Sequence, residues 1–332
     1  NPLVGCVLVK DGEIVAEGWH DHLGGLHAEQ MAIADAELKG IGTRGTTAYV
    51  TLEPCNHFGR TPPCTEALLW AGVSKVVIGA LDPNPTVRGE GAKKLIDLGV
   101  EVVTGVMEEE CESQMEEFMQ WCRSRRPFVT LKASTDANGL VDGDPSKPAF
   151  RFSSDESLRL AHDLRANSMA ILVGVGTVIR DNPSLTVRGL DIAPREQPTR
   201  VVIDPNGRIP AESKLLQDGE APTLIIQSSR FDTNGDGGHV ERIIVQEQEI
   251  PVSRILDLLG DRGIQSLLVE GGPETWSRFL SSGMVNRARV CVSPIQLDGD
   301  GLLFDRGLLS EHMSLISESE VSGDSIEWWI RD

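Results

Sequence analysis

Cysteine, positive charge and long apolar runs are all scarce in this chain of 332 residues. Its six cysteines are too few and too irregularly spaced for a disulfide framework, so we expect a reducing compartment, the cytoplasm. No apolar run approaches the ~20 residues of a membrane-spanning helix, which argues against a membrane protein. Lys and Arg number 31 against 50 Asp and Glu, for a net charge of −19. That balance argues against binding to nucleic-acid phosphates and favours a small-molecule substrate.

Repeated alternation of strand and helix patterns predicts an α/β protein. A chain of 332 residues suits two domains of about 120 to 200 residues each. A basic, proline-terminated junction lies at 123–127. We therefore predict a first domain of residues 1–126 and a second of residues 127–332.

One histidine and two cysteines in the first half form a candidate metal site. His27 opens a predicted helix, Cys55 ends a predicted strand, and Cys64 precedes a second predicted helix. These are Zn²⁺ ligands, and three of them leave one tetrahedral position open for water, as in a catalytic site. Glu29 can carry protons beside them without ligating the metal, which is typical of zinc deaminases of nucleobases. The pattern favours hydrolytic deamination over a structural zinc site or two buried thiols without metal.

The second half contains a candidate phosphate-binding turn. Gly174 to Thr177 follows a predicted strand, but the third glycine of a dinucleotide fingerprint is absent, so we exclude a standard Rossmann site. Glu270-Gly271-Gly272-Pro273 lies between a predicted strand and a predicted helix, where backbone N–H groups can bind an anion. An ordinary strand-to-helix turn explains the same residues equally well at this point.

Three segments of the first half closely resemble the bifunctional riboflavin-biosynthesis deaminase-reductase family: 1–6, 27–29 and 51–64. Eight residues separate Cys55 from Cys64, against the two-residue gap of ordinary cytidine and tRNA adenosine deaminases. The resemblance implies a cytidine-deaminase-like α/β/α layered domain. It also implies that this domain removes the 2-amino group of 2,5-diamino-6-ribosylamino-4(3H)-pyrimidinone 5′-phosphate, with His27, Cys55 and Cys64 binding zinc and Glu29 acting as the acid-base catalyst.

Matched positions imply a set of residues that bind the deaminase substrate: Asn1, His20, Asn56, His57 and Arg60. Family members commonly have Ser at position 56 and Lys at position 60. Arg60 keeps the positive charge and adds a bidentate fork suited to a phosphate. From the residues alone, His20 is equally well an exposed loop histidine.

The second half resembles the reductase domain of the same family in 164–166, 170–178, 181–188 and 269–272. The resemblance implies a dihydrofolate-reductase-like α/β domain that reduces the ribosyl group to ribityl with NADPH. Lys132 is implied to polarise or protonate the opened sugar oxygen. Matched positions imply that NADPH is bound by Ser134, Thr177, Asp181, Gly272, Pro273, Glu274, Thr275, Trp276, Ser277 and Arg278. They imply that the reductase substrate is bound by Arg165, Leu185, Arg188 and Glu270. Either arginine alone is equally well a surface residue or half of a salt bridge.

The chain departs from the family pattern at three positions where ligand is expected. Asp136 and Asn138 lie in the stretch that usually reads Ser-Leu-Asp-Gly after the lysine, and Arg151 stands where tryptophan is usual. We predict that reductase activity is retained. The alternative is a deaminase whose second domain is not catalytic and serves oligomerisation or ligand sensing.

We expect small-molecule substrates, no nucleic-acid or membrane partner, and a homo-oligomer, either a dimer or a tetramer. Trp328 and Trp329 face opposite sides of a predicted strand, so one is expected in the core and the other at a subunit contact. A tRNA or DNA base deaminase is disfavoured by the acidic charge and the long gap between the cysteines. A non-enzymatic zinc module leaves Glu29 without a role.

Overall fold

The structure is a computed structural model that describes residues 2–22, 24–58, 62–84, 87–144, 147, 150–191, 196–229, 236–297 and 301–332. The chain divides into two units, Asn1–Arg125 and Arg126–Asp332. Each unit layers helices on its own mixed β-sheet. None of the helices in the described residues has the length and apolar character needed to span a bilayer.

The first unit is built on a five-stranded sheet. Its strands are β1 (Gly5–Lys10), β2 (Glu13–Trp19), β3 (Thr47–Leu52), β4 (Lys75–Ala80) and β5 (Glu101–Thr104). Its helices are α1 (Ala28–Leu38), α2 (Cys64–Trp70), α3 (Glu90–Asp97), α4 (Glu108–Gln114) and α5 (Glu116–Ser124). The strand order is β2-β1-β3-β4-β5. β1 is antiparallel to β2 and β3, whereas β3, β4 and β5 are parallel to one another.

Helix α1 packs directly against the sheet because its inward face consists of alanines. Ala28, Ala32 and Ala36 are fully buried. A Cβ atom at Gly18 of β2 would lie 2.3 Å from the backbone nitrogen of Ala32, so only glycine permits this approach. The close packing fixes the first turn of α1, where the predicted ligand histidine and the catalytic glutamate lie.

The sequence pattern predicts one continuous helix over 108–125, and this prediction is wrong. The chain breaks at Met115, whose φ and ψ angles of −114° and 20° separate α4 from α5. α4 buries none of its own residues. Met115 and Met119 instead pack together with Leu52 and Ala80. Both methionines reach the sheet, as their four-residue spacing predicts, although the helix is not continuous.

The second unit contains a nine-stranded sheet and a two-stranded one. Its strands are β6 (Phe128–Thr135), β7 (Leu140–Asp142), β8 (Ala170–Gly174), β9 (Thr199–Ile203), β10 (Thr223–Gln227), β11 (Val240–Ile244), β12 (Ser266–Val269), β13 (Arg287–Val292), β14 (Leu302–Leu303), β15 (Met313–Val321) and β16 (Asp324–Arg331). Its helices are α6 (Asp155–Ala166), α7 (Val175–Asp181), α8 (Lys214–Gln217), α9 (Val252–Gly260), α10 (Pro273–Ser281) and α11 (Arg306–His312). The large sheet has the order β11-β10-β9-β8-β12-β6-β13-β16-β15, and β7 pairs with β14.

Alternation along β6 gives the large sheet one apolar and one polar face at its centre. Leu131 and Ala133 join the main hydrophobic core, so Lys132 and Ser134 lie on the opposite face. The parallel register places Arg289 of β13 beside Lys132. Helix α6 packs over this polar face, since the Leu160 carbonyl accepts a hydrogen bond of 2.9 Å from Arg289.

Candidate functional site

Three potential metal ligands from different elements converge in the first unit. The Sγ atoms of Cys55 and Cys64 lie 3.6 Å and 3.3 Å from Nδ1 of His27. The three ligand atoms all lie within 4.8 Å of one another. A tetrahedral Zn²⁺ with bonds of about 2.0 to 2.3 Å requires N···S separations of about 3.6 Å. The donor set and its spacing therefore fit a Zn²⁺ ion bound by one nitrogen and two sulfurs.

The local structure explains how these ligands meet. His27 is the N-cap of α1 and has an extended backbone, Cys55 lies shortly after β3, and Cys64 is the first residue of α2. The Gln30 side chain links two of these segments. Its Oε1 accepts a hydrogen bond of 3.2 Å from the His27 N–H, and its Nε2 donates one of 3.1 Å to the Pro62 carbonyl. One side chain thus ties the histidine to the loop between the cysteines.

Burial and mutual contact shift the ionisation of the three acidic groups at this site. Burial raises the pKa of Glu29 to about 7. A hydrogen bond from Cys64 lowers the pKa of Cys55 to about 4, and the same contact, together with burial, raises the pKa of Cys64. A divalent cation between the two sulfurs would favour two thiolates.

A cavity of about 180 Å³ lies beside Cys55, and its walls include Asn56, His57 and Asp82. Asn56 is oriented by a hydrogen bond of 3.0 Å from the Thr65 hydroxyl to its Oδ1. Two of the residues expected to bind substrate thus line this cavity. A third, His20, meets the His27 ring edge to face, with the ring centroids 5.5 Å apart. The other two, Asn1 and Arg60, lie outside the described residues.

Glu53 is a site residue that the sequence reasoning missed. Its carboxylate accepts four backbone hydrogen bonds of 2.8 to 3.1 Å, from the N–H groups of Asp82, Gly89, Gly91 and Ala92. These bonds hold the segment that leads into α3, part of which lines the cavity. The one sequence feature that pointed to a role for Glu53 is its position directly before Pro54 and Cys55.

A buried ion pair is central to the polar face of the second unit. Arg165 donates from Nε and Nη2 to the two carboxylate oxygens of Glu270, at 2.6 and 2.7 Å. Burial opposes ionisation of Glu270, but Arg165 nevertheless holds the pKa of this carboxyl below its ordinary value. Lys132 also faces this pair. Burial lowers the pKa of Lys132, Glu270 opposes that shift, and the positive charges of Arg289 and Arg165 add to it.

The residues expected to bind the reductase substrate lie close together. Arg165 also donates from Nη1 to the Thr186 carbonyl at 3.1 Å, which connects the ion pair to the loop that carries Leu185 and Arg188. Leu185 is buried with a φ angle of +49°, an unusual conformation for a branched side chain. The backbone N–H of Arg188 donates to Nδ1 of His162 at 3.2 Å. His162, which the sequence reasoning missed, therefore positions this loop from α6.

Two helices begin side by side where the adjacent strands β8 and β12 end. A Cβ atom at Gly174 would lie 2.8 Å from the Thr275 hydroxyl, and one at Gly272 would lie 3.9 Å from the Thr177 hydroxyl. Within the part of the chain that the structure describes, no atom beyond its chain neighbours and its own helix backbone lies within 4 Å of the Cβ position of Gly176. Backbone N–H groups at helix starts, beside space that glycine leaves open, suit the phosphates of a dinucleotide cofactor. The residues present therefore fit NADPH.

Other residues expected at the cofactor are distributed around these helix starts. Pro273 and Glu274 are in the first turn of α10, Asp181 ends α7, and Ser134 shares the polar face of β6 with Lys132. Ser277 follows one turn into α10. Trp276 is instead buried in the core, with its ring 5.2 Å from that of Phe304. Arg278 donates to the Ile250 carbonyl at 2.6 Å.

The positions that depart from the family pattern have structural partners of their own. The buried Asp136 carboxylate accepts backbone hydrogen bonds from Asn138, Leu140 and Leu297, at 2.7 to 2.8 Å. It thereby shapes the turn that Asn138 occupies. Arg151 is exposed and pairs with Asp155 at 2.8 Å. Neither set of contacts involves the Arg165–Glu270 ion pair or the starts of α7 and α10.

Both halves of the chain match known protein families. Residues 1–80 match the cytidine and deoxycytidylate deaminase zinc-binding region, and residues 127–326 match the RibD C-terminal domain. The riboflavin biosynthesis protein RibD of Aquifex aeolicus is 40% identical over 319 residues, which are 95% of this chain and 87% of that protein. The chain belongs to the RibD family. RibD of Escherichia coli is 36% identical over 313 residues, or 90% of this chain and 82% of that one.

Solved structures extend the match to the RibD fold. A diaminohydroxyphosphoribosylaminopyrimidine deaminase/5-amino-6-(5-phosphoribosylamino)uracil reductase from Thermotoga maritima is 35% identical and superposes with a TM-score of 0.90, covering 100% of this chain and 93% of that one. RibD from Acinetobacter baumannii is 32% identical, with a TM-score of 0.88 and the same coverage. The predicted fold class, an α/β protein with a cytidine-deaminase-like first part followed by an α/β reductase domain, is confirmed.

As a RibD protein, the chain is a bifunctional deaminase and reductase of riboflavin biosynthesis that acts on small molecules. Its first half contains the zinc-binding deaminase region, and its second half contains the reductase domain. The prediction of zinc and NADPH as cofactors agrees with these matches. The alternative of a second domain without catalysis is not favoured.

Proposed function

We propose that residues 1–126 remove the 2-amino group of 2,5-diamino-6-ribosylamino-4(3H)-pyrimidinone 5′-phosphate, and that residues 127–332 then reduce the ribosyl group of the product to ribityl with NADPH. The observation that carries the proposal is the convergence of His27, Cys55 and Cys64 beside a buried carboxylate. The name of the Thermotoga maritima relative, which states both activities, supports the choice of substrate.

In the deaminase site, each residue has a proposed role. Zn²⁺ bound by the two cysteines and His27 would polarise a water molecule so that it attacks near neutral pH. Glu29 takes a proton from the attacking water and delivers it to the leaving amine, so that ammonia departs. Asn56 and His57 bind the substrate from the cavity wall, and His20 binds it from beside His27. Asn1 and Arg60 complete the set, with the Arg60 fork directed to the phosphate.

In the reductase site, bound NADPH would supply a hydride to the sugar carbon that bears the base nitrogen. Lys132 delivers a proton to the ring oxygen as its bond to that carbon breaks, which leaves an open-chain hydroxyl. Glu270 orients Lys132 through their opposite charges, while Arg165, Leu185 and Arg188 bind the substrate. Backbone N–H groups at the paired helix starts bind the cofactor phosphates. The proposed cofactor residues are Ser134, Thr177, Asp181, Gly272, Pro273, Glu274, Thr275, Ser277 and Arg278, whereas Trp276, which lies in the core, supports α10 from below.

We further propose a cytoplasmic homo-oligomer, either a dimer or a tetramer. None of the six cysteines, all of which lie within the described residues, forms a disulfide, which suits a reducing compartment. β15 is an edge strand of the large sheet, and Leu315 and Ile316 on it are exposed. An exposed edge with apolar side chains is a surface that a second subunit can cover.

A two-channel assay tests the proposed reactions. The purified protein is given the diaminopyrimidinone phosphate, and ammonia release and NADPH oxidation are followed separately. We expect ammonia to appear without NADPH, and NADPH oxidation to require prior deamination. Ammonia from cytidine but none from the pyrimidinone phosphate would overturn the proposed substrate, and absence of NADPH oxidation on the deaminated compound would overturn the second reaction.

A further inference from the structure

Arg289 in the middle of β13 is a buried arginine whose hydrogen-bonding capacity is largely unused. The residue is 3% exposed. Its Nη1 donates to the Leu160 carbonyl at 2.9 Å. Its Nε and Nη2 are buried and have no hydrogen-bond partner among the residues that the structure describes. A buried guanidinium with unpaired donors lowers the stability of the folded state, so its presence requires a physical reason.

Another buried arginine in the same sheet shows what full compensation requires. Arg200 is completely buried. Its Nε donates to the Thr223 hydroxyl at 2.9 Å, and its Nη1 binds both carboxylate oxygens of Asp218, each at 2.9 Å. Its Nη2 donates to the carbonyls of Leu215 and Ala221. Arg200 is thus neutralised and satisfied, whereas Arg289 is neither.

The position of Arg289 connects it to the reductase site. The β6–β13 register pairs it with Lys132, and both side chains lie on the polar face of the sheet. The nearby Glu270 carboxylate is already bound on both oxygens by Arg165. The Trp328 ring lies 5.9 Å from the guanidinium carbon and offers only a cation–π contact. The charge of Arg289 is therefore directed at Lys132 without a hydrogen-bonded carboxylate to cancel it.

We propose that Arg289 is a positioning residue of the reductase site, whose guanidinium charge, one strand away from Lys132, weakens the hold of the Lys132 amine on its proton. The inference rests on the proposed role of Lys132 as the group that delivers a proton during reduction. A general acid works best when its pKa lies near the working pH, and an ordinary lysine lies several units above it. Arg289 thus makes Lys132 a better proton donor.

The charged and titratable groups around Lys132 support this direction. Glu270, after β12, and Cys291, on β13, favour the protonated amine, whereas Arg165 on α6 and Arg289 disfavour it. Burial adds to the lowering of the Lys132 pKa and is its largest cause. Arg289 itself is faced by Asp163 of α6, by Cys291 and by Glu270. Without Arg289, one cation fewer counteracts the stabilising effect of Glu270 on protonated Lys132.

The experiment is the pH profile of kcat/KM for NADPH oxidation on the deaminated substrate. The limb that belongs to Lys132 is the alkaline one, because loss of the Lys132 proton at high pH ends proton delivery to the ring oxygen. We expect Arg289→Met and Arg289→Gln to move that limb upward by about one pH unit, as expected for one nearby charge at an effective dielectric well above that of a dry interior. Arg289→Lys, which keeps the charge, should retain the parent profile.

Two controls separate the proposed effect from general damage. Arg287→Met removes a cation two positions away on β13, where the side chain stacks on Phe128 and Trp328, and should leave the limb in place. NADPH affinity by fluorescence titration reports an intact second unit and should be unchanged in every Arg289 variant. A limb at the parent pH in both Arg289→Met and Arg289→Gln, or a loss of activity that is equal at all pH values, overturns the inference. NADPH oxidation at the parent rate by Lys132→Met, which has no proton to deliver, overturns instead the proposed role of Lys132.

Discussion

Replacing Glu53 by glutamine should loosen one wall of the deaminase cavity. Oε2 of Glu53 accepts the N–H groups of Asp82 and Gly89, and Oε1 accepts those of Gly91 and Ala92. Glutamine keeps one oxygen and presents an NH₂ group to the other pair of donors. Two buried N–H groups without an acceptor cost about 1 to 3 kcal/mol each, so the segment should lose about 2 to 6 kcal/mol of local stability.

Amide hydrogen exchange measures this loss directly, because it reports local opening without assuming that both units unfold together. Exchange at the four N–H groups that Glu53 binds should accelerate by more than about tenfold, since each 1.4 kcal/mol corresponds to a factor of ten. Glu37→Gln changes an exposed glutamate of α1 and should leave these amides unaffected. Zinc should stay bound, since no ligand changes, while KM for deamination rises. Parent-like exchange in Glu53→Gln would refute the reasoning.

Three further variants test other parts of the structure. Cys64→Ala should lose most of its zinc by metal analysis, whereas Cys122→Ala should keep it; full zinc in the former would remove Cys64 from the ligand set. Glu270→Gln should lower the stability of the second unit at pH 7 by about 3 to 5 kcal/mol, because it leaves Arg165 buried without its partner. Since the folded-state pKa of Glu270 is lowered, this difference should vanish as pH falls through that pKa, and a difference that persists in acid would contradict the pairing. Gly271→Ala places a Cβ 2.6 Å from the Thr275 Cβ, so NADPH affinity by fluorescence titration should fall, and an unchanged affinity would argue against the paired helix starts as the cofactor site.

Local patterns predicted much of the fold because the chain alternates clearly between strand and helix periodicities. The stretch Ser153-Ser154-Asp155-Glu156 predicts a capped helix, and α6 has this cap at Ser154, whose hydroxyl accepts a hydrogen bond from the Ser157 N–H at 3.2 Å. The break at Met115 was missed because Met115 and Met119 keep the four-residue spacing of one helix, so the pattern gives no sign of an interruption. Metal ligands were visible in the sequence because few side chains bind zinc, and their types and spacing restrict the choice.

Residues that act through long-range contacts were less accessible to sequence reasoning. Arg165 and Glu270 were expected as separate substrate contacts, yet they lie 105 positions apart and bind each other. Glu53 and Gln30 contact backbone groups far along the chain, and a backbone partner leaves no residue type to recognise. The sequence cannot show that Nε and Nη2 of Arg289 lack hydrogen-bond partners among the described residues, because this depends on how those residues pack around the guanidinium.

The central claim is that a zinc site and its buried carboxylate deaminate the substrate while a separate site reduces the product. Glu29→Gln tests it most directly, with zinc content, ammonia release and NADPH oxidation measured on one preparation. We predict parent zinc content, loss of ammonia release by at least about a hundredfold, and unchanged NADPH oxidation when the deaminated compound is supplied. Ammonia release at the parent rate would contradict the account.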